Sequence, residues 1–533
     1  MLQLILIPYL RLMKGAGDMK KLGEMKRKYI QKLTGRLLIT AMLVLLQIVV
    51  FIVAVSLLGD AFVYFSVMMT LISLCVVVYI INTDQNPAYK LAWTIPILSF
   101  PLFGGLLYII SKGQASTRDF VKKEKRIADR VKSLYRFDGE LNNKLADTDP
   151  DSAAVSKYLT NVGFPLYAGG EQIYLRSGKE CLEAMKEAIS NAHKYIFIET
   201  FILREDSFWE ELLELLCEKV REGVEVRLIY DGMGCLANLS RDFPERMKAL
   251  GIKTMEFNPF RPVLTVLQNN RDHRKIFVVD GEVAITGGIN IADEYINRLV
   301  RFGHWKDSAI MIKGKAVRSF TLMFLQTWYM QNEIDQSISD YISENATDAD
   351  NKSFAQPFCD SPLDSENTGE SVYLGLISKA RDYVYITTPY LIPDNELVTA
   401  LCFAAKSGVD VRIITPHKPD KWYVHLVTRS FYYELVQSGV KIYEYTPGFI
   451  HSKTIVADGK RAVVGSINLD YRSLYLHFEN AVFTSGSSAV GEIESDFMKT
   501  LEKCEEITEE KLKLIIKRSG LLMSILKVFA PLF

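Results

Sequence analysis

His273-Arg274-Lys275 followed by Asp280, and His451-Ser452-Lys453 followed by Asp458, spell one pattern twice, H-x-K-x(4)-D. Each copy runs into a small-residue turn and an asparagine: Gly287-Gly288-Ile289-Asn290 in the first, Gly465-Ser466-Ile467-Asn468 in the second. The likeness extends outward. Residues 195–200 (YIFIET) match 383–388 (YVYITT), and 223–231 (GVEVRLIYD) match 408–416 (GVDVRIITP), in the same order ahead of each motif. Short β-branched runs of this kind read as buried strands. Helical patterns lie between them, at 207–222 and 397–406, each closed by a glycine, Gly223 or Gly408. Strand, helix, strand in this rhythm predicts an α/β fold: two similar α/β sandwich halves with a mixed sheet in each.

The 533 residues carry equal numbers of acidic and basic side chains. A zero net charge argues against bulk attraction to nucleic acid. The charge is nonetheless uneven: residues 1–36 and 111–136 hold nine Lys or Arg each, against two and three acids. Between these blocks lie apolar runs at 37–58, 61–81 and 91–110, each long enough to cross a hydrocarbon core of about 30 Å. Two basic flanks on one side demand an even number of crossings. The expectation is two full crossings, one re-entrant or interfacial segment, and both halves on the cytoplasmic side of a cell membrane. The seven cysteines are scattered without a C-x-x-C pair, which fits a reducing compartment.

The expected divisions are a basic surface segment (1–36), a membrane region (37–112), a linker (113–155), a first half (156–340), a connection (341–370), a second half (371–510) and a tail (511–533). The tail mixes Lys511, Lys513, Lys517, Arg518 and Lys527 with Leu, Ile, Met and Phe. It reads as an amphipathic helix, lying on a membrane or packed on the domain.

In extended chain alternate residues share a side, so each His faces with its Lys. A proton carrier or nucleophile beside a fixed cation suits a phosphate group: His works on phosphorus or the leaving oxygen, and Lys balances the non-bridging oxygens. Gly288 and Ser466 let backbone approach a ligand, and Asn290 and Asn468 are candidate hydrogen-bond donors to it. Asp280 and Asp458 stand an odd number of residues from their His and are assigned to orientation or structure.

These paired stretches resemble the HKD motifs of the phospholipase D superfamily over about residues 156–505. The stretches Asn86-Pro87, Leu91-Ala92-Trp93, Pro101-Leu102-Phe103-Gly104, Tyr390-Leu391-Ile392-Pro393-Asp394 and Tyr471-Arg472-Ser473 sharpen the resemblance to bacterial cardiolipin synthases. It implies a bilobal fold with both motifs at one site, and phosphatidyl transfer between two phosphatidylglycerol molecules with no metal and no other cofactor. It also implies a covalent phosphatidyl-histidine, with His273 as nucleophile and His451 as acid and base. A hydrolase releasing phosphatidic acid, a membrane-anchored nuclease and a non-catalytic scaffold are the competing readings.

Asp307 and Glu479 follow their motifs at the start of the next apparent strand. Each is expected to hydrogen-bond the far ring nitrogen of the histidine in its own half, as the orienting acid of a triad does. Glu199, Arg204 and Asp231, at strand ends, are further candidates to line a crevice; His477 receives no function.

Overall fold

The computed structural model describes residues 61–99 apart from 84–85, and 115–532 apart from 261–265, 333–337 and 343–351. Positions 49, 53, 56, 105 and 108 are also described. The expected segment 1–36, nearly all of the run 37–58 and most of 100–114 lie outside the described residues.

The chain divides into two compact units. The smaller contains α1 (Ala61–Ile81) and α2 (Pro87–Ser99). Apolar around its circumference, α1 includes Val63–Ile81, 19 residues of mean hydropathy 2.3. Among the described residues it is the helix long and apolar enough to cross a membrane. Val77, Ile80, Ile97 and Tyr108 form a small core, with Trp93 edge-on to Tyr108. Lys90, at the inner end of α2, donates to the carbonyl of Ile81 at the end of α1 (2.9 Å).

The larger unit opens with α3 (Ala115–Lys132), α4 (Leu141–Thr148) and α5 (Pro150–Asn161). This corrects the reading of 113–155 as a linker. Asp149, set in extended chain, accepts from the amide of Ser152 and so caps α5. It also meets the buried Arg461 of the second half at 3.3 Å. Acidic composition here serves capping and burial rather than solvation.

The first half contains β1 (Glu171–Leu175), α6 (Gly178–Ser190), β2 (Tyr195–Thr200), α7 (Ser207–Arg221), β3 (Glu225–Asp231), β4 (Lys253–Phe257), β5 (Arg271–Asp272), β6 (Ile276–Val279), β7 (Val283–Gly287), β8 (His304–Lys306), β9 (Ala309–Lys313) and α8 (Val317–Tyr329). Its sheet runs β1-β9-β7-β6-β2-β3-β4. The pairs β2–β3 and β3–β4 are parallel and the others antiparallel, so the sheet is mixed. Parallel neighbours need a crossover, and α7 supplies it; Gly223 ends that helix at φ 92°.

The second half repeats the plan with β10 (Phe354–Asp360), α9 (Thr368–Lys379), β11 (Tyr383–Thr387), α10 (Asn395–Lys406), β12 (Asp410–Pro416), α11 (Trp422–Gln437), β13 (Lys441–Tyr445), β14 (Gly448–Ile450), β15 (Thr454–Ala457), β16 (Arg461–Gly465), α12 (Tyr471–Tyr475), β17 (His477–Ser485), α13 (Ser488–Leu501) and α14 (Glu509–Val528). The order β10-β17-β16-β15-β11-β12-β13 reproduces the first sheet position by position. Strand β10 lies inside the stretch expected to be only a connection; its residues pair with β17 from Phe354↔Ser485 to Asp360↔Glu479.

In each half an aspartate closes the turn between the motif strand and the next. Asp280 and Asp458 adopt left-handed backbone, φ 54° and 55°. Asp280 accepts from the amides of His193, Lys194 and Tyr195, and Asp458 from those of Arg381, Asp382 and Tyr383. Each thereby fixes the start of β2 or β11 against its motif strand. The third letter of the motif is a scaffold residue at the far end of β6 or β15.

Helix α14 carries Leu512 and Met523 buried, and Lys527 sits 4.3 Å over the ring of Phe431 on α11. Leu514, Leu521, Leu522, Ile525 and Val528 stay exposed. The tail is thus packed on the domain and also presents an apolar row.

Candidate active site

Two short strands set the site, and each joins one half to the other. β5 pairs in parallel with the start of β17, Arg271↔His477 and Asp272↔Phe478. β14 pairs in parallel with β8, Gly448↔His304 through Ile450↔Lys306. The next residue on each strand continues that register: the amide of His273 donates to the carbonyl of Phe478 (2.9 Å), and that of His451 to the carbonyl of Lys306 (2.7 Å). Each histidine therefore lies beside the carboxylate of the opposite half.

Nδ1 of His273 lies 2.9 and 3.0 Å from the two Glu479 oxygens, and Nδ1 of His451 lies 2.7 Å from Asp307 Oδ2. This corrects the expected pairing of each acid with its own half's histidine. Both acids do meet a histidine, but the partners are exchanged, because inter-half strand pairing rather than sequence proximity sets the contact. With Nδ1 donating to a carboxylate, Nε2 is the nitrogen left for chemistry.

The motif residues are nearly buried, His273 and His451 at 7 % exposure and Lys275 and Lys453 at 5 % and 1 %. Each lysine ammonium donates to the carbonyl of its own motif histidine. Burial, together with the Lys453 ammonium, pushes Lys275 down to about 7 against the pull of Glu479, and burial pushes Lys453 down to about 8 against Asp307 and Glu479. Burial and the lysines also lower the histidines, His451 to about 4 and His273 well below its usual range. Lys453 and His451 act on His273, and Lys275 acts on His451, so the two motifs share one electrostatic site. Burial alone pushes the Asp307 carboxyl up, but His451, Lys453 and the Ser308 amide hold it below its usual value.

The turn residues expected to touch a ligand are mostly committed within the protein. Asn290 donates to Tyr295 Oη (2.8 Å) and accepts from the amide of Ile202 (3.0 Å). Tyr295 lies edge-on to His451 with ring centres 5.4 Å apart, so Asn290 steadies the site wall. Gly288 is required by Asp307: a Cβ there would overlap Asp307 Oδ1 and stand 2.9 Å from the His451 carbonyl. The Ser466 hydroxyl donates to Glu479. Asn468 differs: it is 4 % exposed and its Oδ1, an acceptor where a donor was expected, has no partner among the described residues.

Of the expected crevice residues, Glu199 and Asp231 hold the motif loop in place. Arg274 Nε lies 3.1 Å from Glu199 and 3.0 Å from Asp272. Asp231 accepts from the amides of Met233, Gly234 and Asp272. Arg204 pairs with Glu294.

One residue in the site was missed. His477 packs beside His273, ring centres 5.5 Å apart, and its Nδ1 faces Glu479 Oε1 at 3.7 Å. The signal available in the sequence was its place two residues before Glu479, which puts both on one side of an extended strand. Donor atoms of His273, His477 and Glu479 lie within 4.8 Å of one another. However, Arg472 Nε donates to His477 Nε2 at 3.3 Å, which places the histidine's proton on Nδ1. The nitrogen facing the group is a donor, so the trio is a hydrogen-bonded set rather than a ligand set.

Comparison with known proteins agrees with this arrangement. The sequence profile described as "Cardiolipin synthase, PLD-like domain" matches residues 185–328 and 373–501, and that described as "Phospholipase_D-nuclease N-terminal" matches 70–112. An uncharacterized protein of Streptococcus mutans is 42 % identical over 86 % of this chain and 99 % of its own. Cardiolipin synthases of Geobacillus kaustophilus and Halalkalibacterium halodurans are each 32 % identical, over 88 % and 84 % of this chain and 93 % and 90 % of theirs. The crystal structure of phosphatidylserine synthase from Haemophilus influenzae shares the fold, with a TM-score of 0.54 at 15 % identity, over 72 % of this chain and all of that one. The chain belongs to the cardiolipin synthase family of phospholipase D-like transferases.

Proposed function

We propose that the protein makes cardiolipin, transferring a phosphatidyl group from one phosphatidylglycerol to another and releasing glycerol. The observation that carries this reading is the pair of buried histidines, each held through Nδ1 by a carboxylate and each beside a lysine. Nε2 of His273 attacks phosphorus while the bond from phosphorus to the glycerol oxygen breaks, and Nε2–H of His451 protonates that oxygen. The phosphatidyl-His273 imidazolium is balanced by Glu479. Neutral His451 then takes the proton from a hydroxyl of the second phosphatidylglycerol, whose oxygen attacks phosphorus and frees His273. Lys275 and Lys453 offset the charge on the non-bridging oxygens. The phosphate's negative charge in turn opposes the lysines' effect on His451, favouring the protonated form that the first step needs.

The helix α1 anchors the enzyme to the membrane that holds donor, acceptor and product, in a multi-pass arrangement with the catalytic halves facing the cytoplasm. The exposed apolar row of α14, among lysines, rests against lipid. A site that admits lipid and restricts water protects the phosphatidyl-enzyme from hydrolysis. Purified protein in liposomes with labelled phosphatidylglycerol as the sole donor tests the reading. Cardiolipin and glycerol in equal amounts, undiminished by a chelator, support it. Phosphatidic acid as the main product overturns transfer in favour of hydrolysis, and chelator-sensitive turnover overturns metal independence.

A further inference from the structure

His477 has a counterpart in the first half. Trp305 stands two residues before Asp307, as His477 stands two before Glu479. The Trp305 indole lies 5.2 Å from the His451 ring at an interplanar angle of 45°, and the His477 imidazole 5.5 Å from the His273 ring at 43°. Trp305 Nε1 donates to Asp307 Oδ2 at 3.4 Å, the same oxygen that His451 bonds. His477 Nδ1 faces Glu479 Oε1 at 3.7 Å, one of the two oxygens that His273 bonds. Each carboxylate is thus approached by its catalytic histidine and by a second ring N–H from its own strand.

The two differ in chemistry. The Trp305 indole has one tautomer and donates unconditionally. A neutral imidazole donates from Nδ1 only when Nε2 is an acceptor, and Arg472 enforces that by donating to Nε2. We propose that His477 is a positioning residue for Glu479, locked by Arg472 as the Nδ1–H tautomer, so that the chain Arg472–His477–Glu479 orients His273 and limits its basicity. The proposal rests on the reading of His273 and Glu479 given above and adds to it. A shift of a few tenths of an ångström brings the 3.7 Å approach of His477 Nδ1 to Glu479 to hydrogen-bond length.

Among the described residues, charged and titratable groups face this pair from several packed elements. Lys275 on the first motif, Lys453 and His451 on the second, Tyr373 on α9, Asp470 before α12 and Arg472 on it all act on Glu479, His273 or His477. None of them changes in the variants that test His477.

His477→Phe keeps a ring against Phe201 and removes the donor; His477→Asn restores an N–H. In His477→Phe, kcat for phosphatidylglycerol consumption should fall roughly tenfold or more, the range for outer hydrogen-bond partners, with KM within about twofold. The acid limb of kcat/KM should move to higher pH, by about half a unit, because Glu479 with one donor fewer holds the His273 proton more tightly. His477→Asn should recover most of both. Unchanged kcat and a superimposable pH profile in a His477→Phe protein that melts like the parent overturn the proposal. So does a loss that His477→Asn leaves unrepaired. If the parent consumes no phosphatidylglycerol, the proposed function fails. The ¹⁵N shifts of histidine-labelled protein then decide the present point: Nδ1–H for His477 supports it, and Nε2–H, or a His477 signal unaltered in Arg472→Ala, overturns it.

Discussion

The two halves share strand order, motif spacing and even the left-handed aspartate turn, yet they surround their histidines differently. His451 is walled by Trp305, Tyr295 and Phe449, and its carboxylate is the short Asp307, which approaches through space left open by Gly288. His273 meets Phe201 and His477, and its carboxylate is Glu479, one methylene longer, steadied by Ser466 at the position corresponding to Gly288. Arg274, buried among Asp272, Glu199 and Thr327, corresponds to Ser452, which bonds Ser308. A repeated fold thus places two like groups opposite one another, while side-chain substitution surrounds each with different neighbours. The proposed division of tasks calls for such a difference, since a nucleophile must keep its lone pair and an acid must hold a proton.

The comparison breaks most sharply at the histidines. His273→Ala and His451→Ala should each reduce cardiolipin formation by about 10⁴-fold or more, as losing one member of a triad does. The halves separate with a phosphatidyl ester of 4-nitrophenol, whose leaving oxygen needs no proton. The His451 variant should then release a burst of nitrophenolate and accumulate phosphatidyl-enzyme, and the His273 variant should do neither. The reverse result exchanges the two roles.

Neutralising the exchanged acids comes next. Glu479→Gln and Asp307→Asn should lower kcat by about 10³- to 10⁴-fold through the wrong tautomer. A double-mutant cycle on unfolding free energy should couple His273 with Glu479 and His451 with Asp307 by about 0.5–3 kcal/mol. Coupling within each half instead would refute the crossed geometry. Gly288→Ala, which drives a methyl into Asp307, should cost at least about a hundredfold in kcat, and Ser466→Gly, which removes a donor to Glu479 and an acceptor for the Asn480 amide, about tenfold.

The lysines set a smaller effect. Both are lowered from the usual lysine value, to about 7 and about 8, so each loses its charge near neutrality in the empty site. Consequently kcat/KM should fall as pH rises through 7 to 8, by about tenfold per unit once a lysine is neutral. The bound phosphate stabilises the protonated lysines, so the limb in kcat should lie at higher pH. A kcat/KM flat up to pH 10 would contradict this. Lysine-to-arginine variants keep the charge, and the one that removes the limb identifies the half whose lysine titrates first.

The mildest contrast lies in the turn aspartates. Asp458 also binds the buried Arg461 at 2.8 Å, whereas Asp280 holds only backbone amides among the contacts described. Asp458→Ala should therefore destabilise by about 3–5 kcal/mol, leaving a buried cation short of a partner, and Asp280→Ala by about 1–3 kcal/mol. Thermal melts in detergent check the order, and activity at low temperature should change less than tenfold in either.

Much of this was legible in the residues themselves. The strands 195–200 and 383–387, the helix stops at Gly223 and Gly408, the repeat and both H-x-K stretches follow from local pattern and turn chemistry, which act over a few residues. Composition misled at 113–155 and 341–370: charged and polar stretches read as a linker and a connection, whereas Asp149 caps a helix and meets Arg461, and residues 354–360 add a strand. The turn residues were read towards a ligand, although only Asn468 has an oxygen without a protein partner, because what surrounds Asn290 or Gly288 depends on chain far away. His477 was given no function, because its place two residues before Glu479 gains meaning only once Glu479 is seen to meet His273.

The sequence by itself determined that two like halves exist, that each presents a histidine and a lysine together, and that each supplies a nearby acid. Only the tertiary structure decided which acid serves which histidine. The partners are 206 and 144 residues apart, and either acid suits either imidazole chemically. The choice was made by the parallel pairing of β5 with β17 and of β14 with β8, whose backbone hydrogen bonds set each histidine against the carboxylate of the other half.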